Sequence, residues 1–302
     1  MFKSKNSMSR ALVRRETTAG YLFLLPSLFF FVTFVLYPMF LCIYTSFFDS
    51  NMGKNAVDVF VGLGNYKELF QDKLFLGALK NTVLIVVVAV PTVCAFSLWV
   101  ATAIYDMKPA LTSAFRCIFY LPVVTGSVAV TVVWKWMYNN RYGVFNYLFK
   151  SLGIIDQNIN WLGDARFALW CIILILFTTS VGQPIVLYVS ALGNVDHSLV
   201  EAAEVDGANR RQVFWKIKWA QIMPTTLYIL IITTINSFQC FALIQLLTSG
   251  GPTHSTDTIM YYIYYTAFKL YRYGYGNAMG VVLMVIIAGL SAVQFKLGQR
   301  SD

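Results

Sequence analysis

Six stretches of this sequence, near 20 to 48, 82 to 105, 117 to 138, 167 to 192, 222 to 247 and 276 to 297, are apolar and carry no Asp, Glu, Lys or Arg near their middles. A helix needs roughly 20 such residues to cross the hydrocarbon core of a bilayer. Lipid offers no hydrogen bonds, so backbone groups in these runs must be satisfied within the segment, and a helix does this. The expected fold is an all-α membrane protein of six transmembrane helices. Composition agrees: 58% of the residues are apolar and 12% charged, against about 25% charged in soluble domains.

Lys3, Lys5, Arg10, Arg14 and Arg15 precede the first run against the single acid Glu16, which by the positive-inside bias places the N-terminus in the cytoplasm. That run is too long for a signal-peptide core and lacks a small-residue cleavage site, so it reads as an uncleaved first span. An even number of spans returns Lys296 and Arg300 to the same side. The segments around 49 to 81, 139 to 166 and 248 to 275 then lie outside, and those around 106 to 116 and 193 to 221 lie inside. The shorter apolar run Ile259 to Phe268, rich in tyrosine, is expected at the outer membrane surface.

Several function classes are excluded. The net charge of +9 is not gathered into one stripe, which argues against nucleic acid. Cys42, Cys94, Cys117, Cys171 and Cys240 fall in separate apolar segments without metal-binding or redox spacing, and read as packing residues. His197 and His254 lie on opposite sides of the expected membrane, so neither supports catalysis or a metal site. A membrane-embedded enzyme would need an intramembrane cluster of acids, histidines or metal ligands. No phosphate-cradling Gly-rich loop with lysine is present. Pro26, Pro38, Pro91, Pro122, Pro184 and Pro224 interrupt the spans, as kinks around a cavity or as ordinary membrane-helix usage.

One inner segment is organised unlike the others. From Asp196 to Ile217, Ser198 and Glu201 have the spacing of a capping box and predict a helix start. Gly207 can take the left-handed conformation that stops a helix. After it, Val213, Phe214 and Ile217 recur at helical spacing among Arg210, Arg211 and Lys218. The side chains of Ala202 and Ala203 are small enough for close approach to a partner, and the second helix's apolar stripe is expected to seat in a partner's groove. A capped amphipathic helix lying on the membrane surface accounts for the same spacing.

Glu201-Ala202-Ala203, Asp206-Gly207-Ala208, then Phe214, Ile217 and Pro224 resemble the EAA signature of permease subunits from binding-protein-dependent ABC importers. The resemblance extends over nearly the whole chain: Tyr21 to Pro38, Gly62-Leu63-Gly64-Asn65-Tyr66, Asn81-Thr82, Tyr120-Leu121-Pro122, and Thr248 to Pro252 with Ser255-Thr256. It is similar to the carbohydrate-uptake branch, and most to the first of the two permeases of maltose, lactose or glycerol-phosphate type. The resemblance implies a cytoplasmic coupling helix between the fourth and fifth spans, with Glu201, Ala202, Ala203, Asp206 and Gly207 facing an ATPase subunit. It implies a cytoplasmic tail over 1–19, a six-span domain over 20–297 with its coupling loop at 196–218, and a second tail over 298–302. It further implies a heterodimer with a second permease, ATPase subunits that hold ATP and Mg, an extracytoplasmic solute-binding protein, a sugar substrate, and a multi-pass place in a prokaryotic plasma membrane. No cofactor is expected in this chain. The family usually has proline where Ala220 stands, and Lys218 and Trp219 also depart from its pattern.

Uncharged polar residues at depth flank this loop: Thr178, Thr179, Ser180 and Gln183 before it, and Thr233, Thr234, Asn236, Ser237 and Gln239 after it. Hydroxyls and amides can donate to and accept from sugar hydroxyls, and Phe177, Tyr188 and Phe238 could pack on apolar sugar faces. Thr179, Ser180, Gln183, Thr233, Asn236, Ser237 and Gln239 are the candidates for the substrate cavity. Hydrogen bonding between helices is the other use of such residues. Gly250-Gly251-Pro252 predicts a turn. The alternative functional class is a self-sufficient channel or secondary carrier for a polar solute, although an ion-coupled carrier would commonly hold charged groups in its spans.

Overall fold

The structure, a computed structural model, describes residues 3–50 and 58–298, with side chains from Glu16 onward. The basic side chains of residues 3–15, Arg300 and most of the C-terminal tail lie outside the described residues. Helix α1 (Lys3–Phe31) passes through a π-helical turn at Val32–Leu36, just ahead of Pro38, into α2 (Tyr37–Thr45). No residue of the most apolar stretch of this first span is buried against the chain itself, and Phe23 and Phe34 are largely exposed.

Two residues of β1 (Phe48–Asp49) pair antiparallel with β2 (Val59–Phe60), a small departure from the all-α expectation. Helix α3 (Gly64–Gln71) leads through Asp72 into α4 (Lys73–Ile104), a 32-residue helix that starts well before the expected 82. The Asp72 side chain caps α4 by accepting from the Leu74 amide at 2.8 Å, satisfying one of the donors a helix N-terminus leaves open.

The third expected span is not one helix. Helices α5 (Pro109–Val124) and α6 (Ser127–Met137) meet at 95° across Thr125 and Gly126, so the described residues hold five long apolar helices, or six with this bent pair counted as one span. Pro122 lies three residues before the break; its ring cannot continue the backbone ladder. Helices α7 (Val144–Ser151), α8 (Ala168–Ser180) and α9 (Gly182–Gly193) follow. Next come α10 (His197–Val205), α11 (Arg210–Val213) and a π-helical turn at Phe214–Lys218 that runs into α12 (Trp219–Phe238). Helices α13 (Ala242–Leu247), α14 (Ile259–Tyr264) and α15 (Tyr273–Gly298) complete the chain, with a π-helical turn at Tyr265–Lys269.

Helix α4 is the centre of the bundle, packed on α9 and α12; α5 packs on α9, and α15 on α12 and α2. At the end bearing the 193–221 loop, Val93, Val100, Ile104, Ile185, Tyr188 and Ile222 form one apolar core. At the opposite end Leu69, Phe75, Phe238, Ile259, Tyr262, Tyr275 and Met279 form another. Ile259, Tyr261 and Tyr262 are therefore buried in the protein, while Met260 and Phe268 of the same run are exposed.

The segments around 49–81 and 248–275 lock together at that second end. Asn65 Nδ2 donates to the Ser46 and Phe48 carbonyls at 2.8 and 2.9 Å, and the Ser46 and Tyr66 hydroxyls lie 2.7 Å apart. Asn81 Nδ2 donates to the carbonyls of Ser255 (3.1 Å) and Asp257 (3.0 Å), while the Ile259 amide donates to Thr82 Oγ1 at 3.0 Å. Tyr262 and Tyr275 both donate to Asp72 Oδ2, at 2.7 and 2.9 Å, and Arg272 grips Glu68 through two 2.8 Å bonds. Burial alone would raise the Asp72 pKa, yet the two tyrosine hydroxyls and the Leu74 amide hold it below the usual carboxylate value.

Asn81→Ala strips the partner from two carbonyls. Each such loss costs about 1 to 3 kcal/mol when buried, so a lower thermal midpoint in detergent, read by tryptophan fluorescence, is expected; an unchanged midpoint would show the clamp to be dispensable. Because the Asp72 pKa is depressed, its contribution is present at neutral pH and disappears as pH falls below about 4. Asp72→Asn should therefore flatten the stability profile on the acid side.

Candidate functional site

Two features meet at the 193–221 end: a helical loop, and a polar cavity between the helices that enter and leave it. The loop is closed at each of its corners. Asp196 Oδ1 accepts from the Ser198 amide (2.9 Å) and hydroxyl (2.7 Å), and these bonds hold its carboxyl below the usual range. The cap of α10 is thus Asp196, two residues before the Ser198 that the spacing predicted, and the Ser198–Glu201 box does not form.

At the other end of α10 the Gly207 amide donates to Glu204 O (3.1 Å) and the Ala208 amide to Ala203 O (2.9 Å). Gly207 has φ +83°, so this is the left-handed helix stop expected of it. The reciprocal box lies one turn on, where the Asn209 amide donates to Gln212 Oε1 (2.8 Å) and the Gln212 amide to Asn209 Oδ1 (2.9 Å). Finally, the Asp196 amide donates to Gln221 Oε1 at 3.1 Å, tying the entrance of the loop to its exit.

Glu201, Ala202, Asp206 and Gly207 are exposed and Ala203 is half-buried. Leu199 and Val205 lie open beside them, Val205 at 87%. Among the described residues neither Glu201 nor Glu204 joins an ion pair. The second helix behaves differently from expectation: Val213 is buried, and Phe214 and Trp219 pack on the chain's own core. Its apolar stripe anchors the loop to the bundle, and α10 is left facing outward, with Trp215 exposed beyond it.

The cavity, of about 140 Å³, lies where α8 gives way to α9 and α12 passes beside them. Thr179, Ser180, Gln183, Thr233 and Asn236 line it, with Tyr228, Leu187 and Ile232. Five of the seven sequence candidates are thereby brought together. Ser237 is buried elsewhere on α12, and Gln239 is exposed past the helix end; neither lines the cavity. Thr179 spends its hydroxyl proton on the Ile175 and Leu176 carbonyls, at 3.0 and 3.1 Å. Among the described residues Ser180, Gln183 and Asn236 make no side-chain hydrogen bond within the chain, which leaves them free for a solute.

Thr178 and Thr234 turn away, onto the carbonyls of Ile175 and Leu230. Tyr188 and Phe238 are fully buried in the two cores, and Phe177 packs edge-on against Phe96, so none of the three aromatics chosen from sequence lines the cavity. Tyr228 takes that place. It shares a face with Ile232 and Asn236 at spacings of four, a signal already in the sequence. A shallower groove lined by Arg116, Cys117 and Tyr120 continues from Gln183 and Leu187. His197 and His254 are far apart as expected; His254 Nδ1 lies 2.6 Å from Asp257 Oδ2, a pair not anticipated from sequence. Among the described residues no group of His, Cys, Asp and Glu could hold a metal.

Residues 75–301 match the family described as the binding-protein-dependent transport system inner membrane component. A probable ABC transporter permease of Bacillus subtilis (strain 168) is 33% identical over 288 residues, 94% of this chain and 91% of that protein. The multiple sugar-binding transport system permease of Streptococcus mutans is 31% identical over 94% and 96% of the two chains, and the lactose transport system permease of Rhizobium radiobacter 32% over 94% and 95%. A chain from the crystal structure of a bacterial ABC transporter involved in alginate import has the same fold, with a TM-score of 0.81 over 97% of this chain and 99% of that one, at 23% identity. The chain belongs to the family of binding-protein-dependent inner membrane components and is a multi-pass permease subunit of the plasma membrane.

Gly182 sets the distance between the cavity helices and α5: a Cβ there would lie 2.3 Å from the Phe119 carbonyl oxygen. Gly182→Ala must push backbone from backbone, an overpacking cost of about 1 to 3 kcal/mol. A lowered thermal midpoint of the purified subunit is the expected result; an unaltered one would contradict this close approach.

Proposed function

We propose that this permease is one of two membrane subunits of an ATP-driven importer, and that it carries a carbohydrate delivered by an extracytoplasmic binding protein. The observation that carries the reading is the uncharged polar cavity of Thr179, Ser180, Gln183, Thr233 and Asn236, beside Tyr228. Amide and hydroxyl groups serve as both donors and acceptors, matching the hydroxyls of a neutral sugar, and a tyrosine ring offers a flat apolar face. Relatives named for multiple-sugar and lactose transport support the same class.

A second permease completes the site. The cavity within one chain is about 140 Å³, while sites for small molecules run to about 300 to 1,000 Å³, so the remaining wall comes from a partner across the opening. Both termini are cytoplasmic in this reading, with tails at 1–19 and 298–302 around the six-span domain at 20–297. The loop at 196–218 is then the coupling loop: α10 presents Glu201, Ala202, Ala203, Asp206 and Gly207 to a cleft of an ATPase subunit, which holds ATP and Mg. Two exposed small or apolar positions, Ala202 and Val205, permit close seating, and the unpaired acids can meet basic groups on the partner.

The test is uptake by the reconstituted transporter with its ATPase subunits and binding protein. Uptake must require ATP; solute entry through this subunit alone would overturn the proposal. Gln183→Ala and Asn236→Ala each remove a substrate hydrogen bond worth about 1 kcal/mol, and should lower transport efficiency about fivefold without altering subunit assembly. Ala203→Trp should leave the protein inserted while uncoupling ATP hydrolysis from uptake.

A further inference from the structure

The far side of the loop is fastened to a helix that neither enters nor leaves it. Lys218, the last residue of the π-helical turn after α11, donates from Nζ to the hydroxyl of Tyr105 at the end of α4. The same ammonium lies 4.6 Å from the centre of the Tyr105 ring, out beyond its hydroxyl edge. Among the described residues no carboxylate forms an ion pair with Lys218, so the Tyr105 hydroxyl is its polar partner. Trp215 and Trp219, with ring centres 5.5 Å apart, flank the lysine in sequence.

Helix α4 then runs unbroken for 32 residues, about 48 Å at ~1.5 Å per residue. Partway along, Ser97 Oγ donates to the carbonyl of Val181 at 3.2 Å, at the junction of α8 and α9 that borders the polar cavity. At its far end Asp72, Asn81 and Thr82 hold Tyr262, the Ser255 and Asp257 carbonyls, and the Ile259 amide. One rigid element therefore touches the loop, the cavity junction and the 248–275 segment through side-chain hydrogen bonds at each.

We propose that the Lys218–Tyr105 clasp makes α4 the strut that couples the cytoplasmic loop to the extracytoplasmic 248–262 segment, with the cavity junction between them. Lys218 and Tyr105 are positioning residues. They touch neither solute nor nucleotide, and they give the loop a direct polar tie to the end of α4, beside the apolar packing of Phe214 and Trp219 on the core that Ile104 shares. The inference rests on the proposed docking of the loop on an ATPase.

The experiment uses the complete reconstituted transporter in nanodiscs and compares ATP hydrolysis with and without sugar-loaded binding protein. Tyr105→Phe keeps the ring and removes the hydroxyl; Lys218→Met removes the charge; Lys218→Arg retains it. The expected result for Tyr105→Phe is unchanged basal hydrolysis with stimulation reduced about fivefold, the lower range of coupling between distant sites. Lys218→Met should do the same, Lys218→Arg should recover most of the stimulation, and the double variant should be no worse than either single one, because both remove the same contact. Additive losses, or full stimulation in Tyr105→Phe, would overturn the strut. Ala203→Trp in the same assay separates the two ideas: if it uncouples while Tyr105→Phe does not, the strut fails and the docking stands; if it too is fully coupled, the docking itself fails.

Discussion

Lipid will not hydrogen-bond to a peptide group, and two interruptions of the helices here are organised around that fact. A break in a span exposes N–H and C=O groups that only the protein can satisfy. The chain places its breaks where such partners exist: the α8–α9 junction takes a hydrogen bond from Ser97, and the segment after α13 is held by Asn81, Thr82 and the Thr248–Thr256 hydroxyl pair at 2.8 Å. Polar side chains collect at these places for structural reasons, and the polar cavity opens beside one of them. The cavity lies beside the α8–α9 junction because that is where the bundle already tolerates polarity.

The same constraint explains why α4 is central. It is the longest helix of the bundle interior, and apart from the Val87 carbonyl, to which Pro91 offers no N–H, its backbone is satisfied between its ends. Its side chains are therefore available to supply others. Asp72, Asn81, Thr82 and Ser97 all hydrogen-bond to groups on other elements. Small or branched residues between them, such as Ala89, Val93 and Ala101, are fully buried and let α9 and α12 close around it.

Much of this architecture was legible in the sequence. Period and length gave the spans, because hydrophobic runs of that size have few alternatives. Gly207 was readable as a helix stop since few other residues accept its φ. The runs Asn81-Thr82 and Thr248 to Thr256, first noticed as family resemblance, have a physical purpose that no local pattern announces: they are two sides of one hydrogen-bonded clamp, from positions more than 170 residues apart in the case of Asn81 and Ser255, while Asn65 and Tyr66 of the run Gly62 to Tyr66 hold Ser46 and Phe48. Local spacing also misled. Ser198 and Glu201 satisfy the capping pattern, but Asp196 reaches the same amide first, and spacing cannot rank two competing acceptors. The sharp bend at Gly126 and the burial of Tyr188 and Phe238 depend on neighbours from other helices, and composition cannot report those. Five of the seven residues picked as cavity candidates line one cavity because the α8–α9 junction brings Thr179, Ser180 and Gln183 beside Thr233 and Asn236 of α12. Ser237, one turn beyond Thr233, is buried outside the cavity, and Gln239 lies past the end of α12.

The loop between α9 and α12 is closed by an aspartate cap, a left-handed glycine stop, a reciprocal asparagine–glutamine box and a strap from Gln221. Each is local, and together they leave little backbone freedom between residues 196 and 221. Ordering a flexible segment costs about 1 to 2 kcal/mol per residue in conformational entropy. A segment that is already ordered meets a surface with that cost absent, so even a small contact area can hold it. Rigidity works in the other direction too: a push on α10 moves the whole loop instead of being absorbed by bending within it.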